Sequence, residues 1–399
     1  MIHPISNKAA VVSRHTYHTL LLASGHLLND FYCNFLPILL PLLTLRLDLS
    51  LTMSGLLVML LSVTANVLQP FLGYLMDKYN LNRLLLLAIP FGAVCICSAG
   101  YIKNTPMLFL AVGLSGIATA VYHPLGSSLL SKAAVPERLG LALSLFVAGG
   151  NIGLALAPLA LVWFTTAYSL EALPLLILPS LFLSLLYYQA RLCHLSTTTS
   201  PSGSAAERKS LSELLKNPAL LKLNAAMGLR AWTHVAVSTL LPLLLISHGN
   251  DPVTAGIMLT LFLIGAALGG LVGGFCSDRF GNKTVIVTAL TLGILPTGIF
   301  FLLDPGSPLA LICLFFCGAG LQAPQPSSLL WAQKLLPGHA GIASGMMMGL
   351  SFGLGGIGTA ITAAAGDSFG LSPALFFTTV LPLGLAAAIT ASIPTVPKQ

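Results

Sequence analysis

Apolar runs long enough to cross a hydrocarbon layer recur along nearly the whole chain, and they constrain its fold more than any single motif does. A helix needs about 20 residues to span a bilayer core, and stretches such as Leu51 to Met76 and Gly341 to Ala365 exceed that length. One large soluble core is excluded by the charge content. With 56% hydrophobic and 7% charged residues among 399, the chain has too few charges to clothe a water-facing surface.

Reading the apolar runs against Pro, Gly and charged breakers predicts six helices over Thr19 to Leu47, Leu51 to Met76, Leu84 to Ile102, Pro106 to Leu130, Leu139 to Thr165 and Leu170 to Gln189. The first run lacks a cleavage site and is predicted to stay as a helix. Six more follow over Ala219 to Ser247, Thr254 to Cys276, Val285 to Leu303, Pro308 to Trp331, Gly341 to Ala365 and Ser372 to Ile393. Between the two sets lies a polar stretch rich in Thr, Ser, Pro and Gly, with a linker's composition. The predicted architecture is an all-α membrane protein with twelve transmembrane helices in two pseudo-symmetric six-helix bundles: residues 1–192, a cytoplasmic linker at 193–217, and residues 218–399.

The formal charge of +7 does not point to nucleic acid, because the basic residues stand singly between apolar runs rather than in a patch. They read as topology signals. With the N-terminus inside, fifteen of the 18 basic residues fall on the cytoplasmic side; Arg46 and Lys103 fall outside, and Arg230 lies within a helix. Both termini are therefore expected in the cytoplasm. The seven cysteines are odd in number and mostly sit inside apolar segments, so neither a disulfide framework nor a metal site is read from them. Met346, Met347 and Met348 read as packing filler.

Two loops repeat a charged pattern. Gly73, Asp77, Lys78 and Arg83 follow the second helix, and Gly274, Asp278, Arg279, Gly281 and Lys283 follow the eighth, at an offset of 201 residues from Asp77 to Asp278. The same shift carries Pro136 onto Pro337 and Gly140 onto Gly341, so the duplication spans whole halves. Parallel repeats of this kind place a substrate cavity between two bundles that rock to alternate access. The doubled Gly-x-x-x-Asp-Arg/Lys pattern resembles the major facilitator superfamily. That resemblance implies gate roles for Asp77, Lys78, Arg83, Asp278, Arg279 and Lys283. Gly25-His26-Leu27-Leu28-Asn29-Asp30, Leu68-Gln69-Pro70, Tyr122-His123-Pro124 with Ser127-Ser128, Gly149-Gly150-Asn151, and Leu335-Leu336-Pro337-Gly338 further resemble the fosmidomycin resistance family of bacterial drug exporters.

Of the eleven acids, only Asp30 falls deep in a predicted helix, about 16 Å from its inner end at about 1.5 Å per residue. A carboxylate there costs several kcal/mol unless paired, hydrated or protonated, which marks it as a candidate proton-coupling residue. His26 lies one turn before it on the same face and is a candidate relay partner. Arg230, the only intramembrane arginine, occupies a matching depth in the seventh helix, with His234 one turn on; the 201-residue shift maps it onto Asn29. Its planar fork suits carboxylate or phosphonate oxygens. The sequence predicts that Asp30 and Arg230 face one another across the cavity, with a static ion pair as the competing reading. Tyr122 and His123, about 13 Å from the inner end of the fourth helix, with Asn29, Asn151, Gln322 and Gln325 complete the candidate substrate-binding set, and Asn151, Gln322 and Gln325 are each also readable as an interhelical hydrogen-bond partner.

No nucleotide-binding loop or zinc-protease motif occurs, so no enzyme chemistry, cofactor or metal is expected, and a proton gradient is the expected energy source. The resemblance implies a secondary transporter in the bacterial inner membrane, working as a monomer in the bilayer by proton-coupled export (antiport) of a small anionic or amphipathic drug or metabolite. Proton-coupled uptake of a small organic anion is the alternative the residues leave open, and a non-transporting sensor or channel is a third.

Overall fold

The computed structural model describes residues 4–135, 139–195, 217–336, 343 and 346–394. Within them the chain is helical, without strands. Eleven helices are long and apolar enough to span a membrane: α1 (His15–Leu47), α3 (Asn82–Gly100), α4 (Thr105–Leu130), α5 (Leu145–Ala167), α6 (Leu170–Gln189), α7 (Pro218–Ser247), α8 (Pro252–Ser277), α9 (Asn282–Phe300), α10 (Pro308–Leu335), α11 (Met346–Phe369) and α12 (Leu371–Ala391). The twelfth segment, α2 (Leu51–Val67), is shorter, because the run predicted from Leu51 to Met76 breaks at Leu68 and resumes as a separate helix over Gln69–Lys78. Pro70 at the start of that second piece fits a helix start, where its missing N–H goes unused. Most of the predicted linker, and the Pro136 and Pro337 pair, lie outside the described residues.

The helix starts follow a common rule. Ser50, Asn104, Asn217, Asp251 and Ser307 each accept a hydrogen bond from backbone amides of the first turn they precede. After Asn217, Asp251 and Ser307 the next residue is Pro, whose fixed φ suits the first helical position. At Asp251 the Thr254 hydroxyl and the first-turn amides hold the exposed carboxyl below its ordinary range. Gly281 and Gly370 turn the chain between α8 and α9 and between α11 and α12 at φ of 84° and 86°, a region closed to most side chains.

Two compact units are distinguished, residues 1–35 with 68–200 and residues 36–67 with 201–399. In the first, α1 lies against α5 at close range, because Gly149 and Gly153 leave no Cβ where the Ala23 and Leu27 carbonyls sit. Asn34, at a break in α1, donates to the Leu154 carbonyl at 2.9 Å. Tyr122 and Tyr187, both buried, fill the space beside Gly25 and donate to the Leu22 and Leu21 carbonyls at 2.9 and 3.2 Å, fastening α4 and α6 to α1.

In the second unit Gly265, Gly269 and Gly273 recur every fourth residue along α8 and receive the α10 backbone at Phe315, Ala319 and Ala323. Packing also groups α2 with this unit. Gly55, Gly349 and Gly356 let α2 and α11 run together, and both helices carry a π-helical turn, at Val63–Val67 and Met346–Leu350. At the far end of the same pair Asp367 accepts from the Leu51 amide at 2.9 Å and from the Thr52 amide and hydroxyl at 2.7 and 2.5 Å. It caps α2 from a neighbouring helix.

Candidate functional site

In the first unit, α1 and α4 bring one acid and two bases together. Asp30 Oδ2 lies 3.3 Å from His26 Nε2, one turn earlier on α1, and Oδ1 lies 3.4 Å from His123 Nε2 on α4. His26 Nδ1 is 2.7 Å from the Phe146 carbonyl on α5, and a carbonyl can only accept. The Nδ1 proton is therefore committed to Phe146, and a neutral His26 turns the lone pair of Nε2 toward the Asp30 carboxylate. That contact is attractive only when a cation, the simplest being a proton, sits between them. Asn29 Nδ2 donates to Asp30 Oδ1 at 3.0 Å and lies 3.3 Å from His123 Nε2, so it braces the acid and the second imidazole at once.

The fit around this cluster is tight. The His26 ring stacks on Phe146 with centroids 4.2 Å apart, and a Cβ on Gly150 would come 2.6 Å from Asp30 Oδ2 and 2.7 Å from His26 Nε2. Gly150 thus makes the acid–imidazole pair sterically possible. In the sequence it stands within the Gly149-Gly150-Asn151 stretch of the resemblance, with no sign of this contact.

In the second unit Arg230 is fully buried on α7. Its Nη1 donates to the Leu321 carbonyl at 3.0 Å and to Gln322 Oε1 at 2.9 Å, and Nη2 donates to Gln325 Oε1 at 2.7 Å. These acceptors straddle the break in α10 before Pro324, where backbone carbonyls are available to side chains. Phe352 on α11 lies under the guanidinium, 5.1 Å from its carbon. Among the described residues no carboxylate lies within ion-pair distance of Arg230, and its Nε is buried with no hydrogen-bond partner. His234, one turn on, leaves its buried Nδ1 unpartnered too and packs on Phe262 with centroids 5.3 Å apart. A buried cation held only by neutral amides and a carbonyl retains an uncompensated positive charge, the condition that favours an anionic guest.

The remaining candidates fall in different places. Asp30, His26, Asn29 and His123 come together, as do Arg230, Gln322 and Gln325, with His234 alongside. The pairing of Asp30 with Arg230 expected from the sequence joins residues of different units, and within its own unit each has other partners. Tyr122 is wholly buried with its hydroxyl bound to Leu22, which makes it a fastening residue. Asn151 is exposed. Of the expected gate residues, Arg83 is exposed, Arg279 lies over the neighbouring Phe280 ring at 5.7 Å, and Lys283 donates to the Ile393 carbonyl at 2.7 Å beyond the end of α12. The side chains of Asp77, Lys78 and Asp278 lie outside the described residues. Phe352 and Gly150 are functional neighbours that the sequence marks only indirectly, Gly150 by the Gly149-Gly150-Asn151 stretch of the resemblance and Phe352 by the 201-residue repeat, which sets Asn151 opposite it.

A family model described as Major Facilitator Superfamily matches residues 22–360 and, in a second match, 225–398. The chain belongs to the major facilitator superfamily. It is 28% identical to an uncharacterized transporter of this type, YfnC of Bacillus subtilis, over 96% of this chain and 95% of that protein. It is also 28% identical to the fosmidomycin resistance protein of Escherichia coli, over 86% and 84% of the two chains. A bacterial homologue of the human lysosomal transporter Spinster, solved inward-facing and unoccupied, shares the fold with a TM-score of 0.78 at 14% identity, over 96% and 99% of the two chains. The fucose:proton symporter of E. coli shares it with a TM-score of 0.65 at 16% identity, over 96% and 100%. The superfamily member described here is thus a multi-pass membrane transporter of small molecules, and its relatives are transporters rather than enzymes.

Proposed function

We propose that the protein exports a small anionic or amphipathic compound in exchange for protons, by alternating access. One observation carries this reading: each unit holds one ionisable centre, largely buried in the first unit and fully buried in the second, and the two are of opposite kind. Asp30 with His26 and His123 forms a cluster that needs a cation, and Arg230 with Gln322 and Gln325 forms one that needs an anion. In this reading Asp30 and His26 hold and release the coupling proton, with His123 and Asn29 positioning the carboxylate. Arg230, Gln322, Gln325 and His234 receive the acidic group of the substrate.

Arginine keeps its charge at any physiological pH, so substrate binding there does not consume the proton that drives transport. The charged loops carrying Asp77, Lys78, Arg83, Asp278, Arg279 and Lys283 act as the cytoplasmic gate. The protein works as a monomer in the bacterial inner membrane with both termini in the cytoplasm. The outward direction is supported by the resistance protein named above, and fosmidomycin, a phosphonate, is the first probe to try.

The test is a comparison of cells with and without the protein. Export predicts lower fosmidomycin accumulation and higher resistance with it. Higher accumulation with the protein would replace export by uptake. Unchanged accumulation of fosmidomycin and of a panel of small organic acids would remove the anion reading.

A further inference from the structure

We propose that His26 Nε2, the Asp30 carboxylate and His123 Nε2 form a binding site for an exchangeable divalent transition-metal ion of the zinc class. The inference goes beyond proton-coupled transport and does not depend on it. Three donors, two from α1 and one from α4, converge with their ligand atoms all within 4.8 Å of one another. His26 Nε2 lies 3.3 Å from Asp30 Oδ2 and His123 Nε2 lies 3.4 Å from Asp30 Oδ1, so one imidazole faces each carboxylate oxygen at a spacing that donors to a shared ion can adopt. Bonds of about 2.0 to 2.2 Å arranged tetrahedrally place neighbouring donors about 3.3 to 3.5 Å apart.

The outer contacts are those a metal site requires. The Nδ1 hydrogen of His26 is engaged by the Phe146 carbonyl at 2.7 Å, which fixes the tautomer whose Nε2 lone pair points at the cluster. The two imidazole rings meet edge to face at 88°, so they approach the carboxylate from different directions. Asn29 braces Asp30 Oδ1 from the side, and the close approach of Gly150 leaves His26 and Asp30 little room to move.

The donor set selects the ion. Two imidazoles and one carboxylate suit zinc, cobalt or nickel and disfavour magnesium and calcium, which take oxygen donors. Three protein ligands leave a fourth position for water or another donor, the mark of an exchangeable site rather than a closed structural one. The sequence carries no metal motif because His26 and His123 lie on separate helices and meet only in the fold. An ion held there occupies the lone pairs that face Asp30, so it is expected to block transport that uses them.

The experiment titrates the purified full-length protein in detergent with Co2+ and follows the visible absorption of a nitrogen- and oxygen-ligated ion, with Zn2+ and Mg2+ as competitors. The proposal expects one Co2+ per chain, displaced by Zn2+ and not by Mg2+. His123→Gln and Asp30→Asn should each weaken binding by about 100-fold or more. An unchanged affinity in His123→Gln would overturn the proposal, placing the ion elsewhere, for example at Cys193 and His194, whose Sγ and Nδ1 lie 3.3 Å apart.

Should the variants fail to fold, thermal unfolding of the wild type alone decides. Zn2+ must raise Tm in a concentration-dependent way and Mg2+ must not, and the absence of both the band and the shift overturns the proposal. Proton-driven transport measured with a chelator present separates the two readings: transport without Co2+ binding sinks only the metal site, and Co2+ binding without proton-driven transport sinks only the coupling reading.

Discussion

The acid of the first unit and the arginine of the second fall within one residue of each other in the sequence repeat, and their surroundings are of opposite kinds. The 201-residue shift carries Asn29, beside Asp30, onto Arg230, and a shift of 200 carries Pro124 of α4 onto Pro324 of α10. In both halves, then, the first helix presents a charged group to the proline-marked segment of the fourth. Around Asp30 that segment supplies His123, and α1 itself supplies His26. Around Arg230 it supplies Gln322, Gln325 and a backbone carbonyl. The first set of partners can gain or lose a proton or coordinate a metal. The amides and carbonyl of the second set do not titrate. In the proposed function one copy of the repeat holds the site whose charge changes, and the other holds the permanently charged Arg230.

Substitutions that exchange these characters give the sharpest tests. Replacing Arg230 by Gln removes the fixed charge, and the anionic probe should bind about 10- to 100-fold more weakly, as loss of a charged hydrogen-bonding group implies. Equilibrium binding to the purified protein measures this, and unchanged affinity would take Arg230 out of the binding site. Gly150→Ala leaves every ionisable group in place but puts a methyl group against Asp30 and His26. It should lower transport by about 10-fold and cost about 1 to 3 kcal/mol of stability, read from initial rates in vesicles and from a lowered Tm.

Gln325→Ala removes one neutral brace from Arg230 at a cost of about 1 kcal/mol, or roughly five-fold in probe affinity, with no change in the number of protons moved. Asp367→Asn lies outside both clusters. Weakening its cap on α2 should cost about 1 kcal/mol of stability and leave probe affinity unaltered. A large change in affinity from Asp367→Asn would mean that the two clusters are not the whole of the site.

Much of this was legible before the fold was known. Asp30 and Arg230 stand out because a charge inside an apolar run is costly, and the His26–Asp30 contact follows from four-residue spacing on one helix. His123 is marked by its depth in the fourth helix and by the Tyr122-His123-Pro124 stretch. Its contact with Asp30 depends on how α4 lies against α1, which Gly25 and the Tyr122 hydroxyl fix, and no local pattern encodes it. Tyr122 matches His123 in depth, but its direction, which no local pattern encodes, places it in the core. The twelve segments followed from hydropathy. The break at Leu68 did not, because Pro70 begins a helix as readily as it interrupts one.

The direct test of the division of labour between the two units is proton movement in proteoliposomes under an imposed pH gradient, with the anionic probe added and wild type compared with Asp30→Asn. Probe-dependent proton flux is expected in the wild type and a reduction of about 100-fold or more in Asp30→Asn, while the variant still binds the probe at its Arg230 side. Proton flux that survives Asp30→Asn, or transport that follows a sodium gradient and ignores pH, would contradict that division.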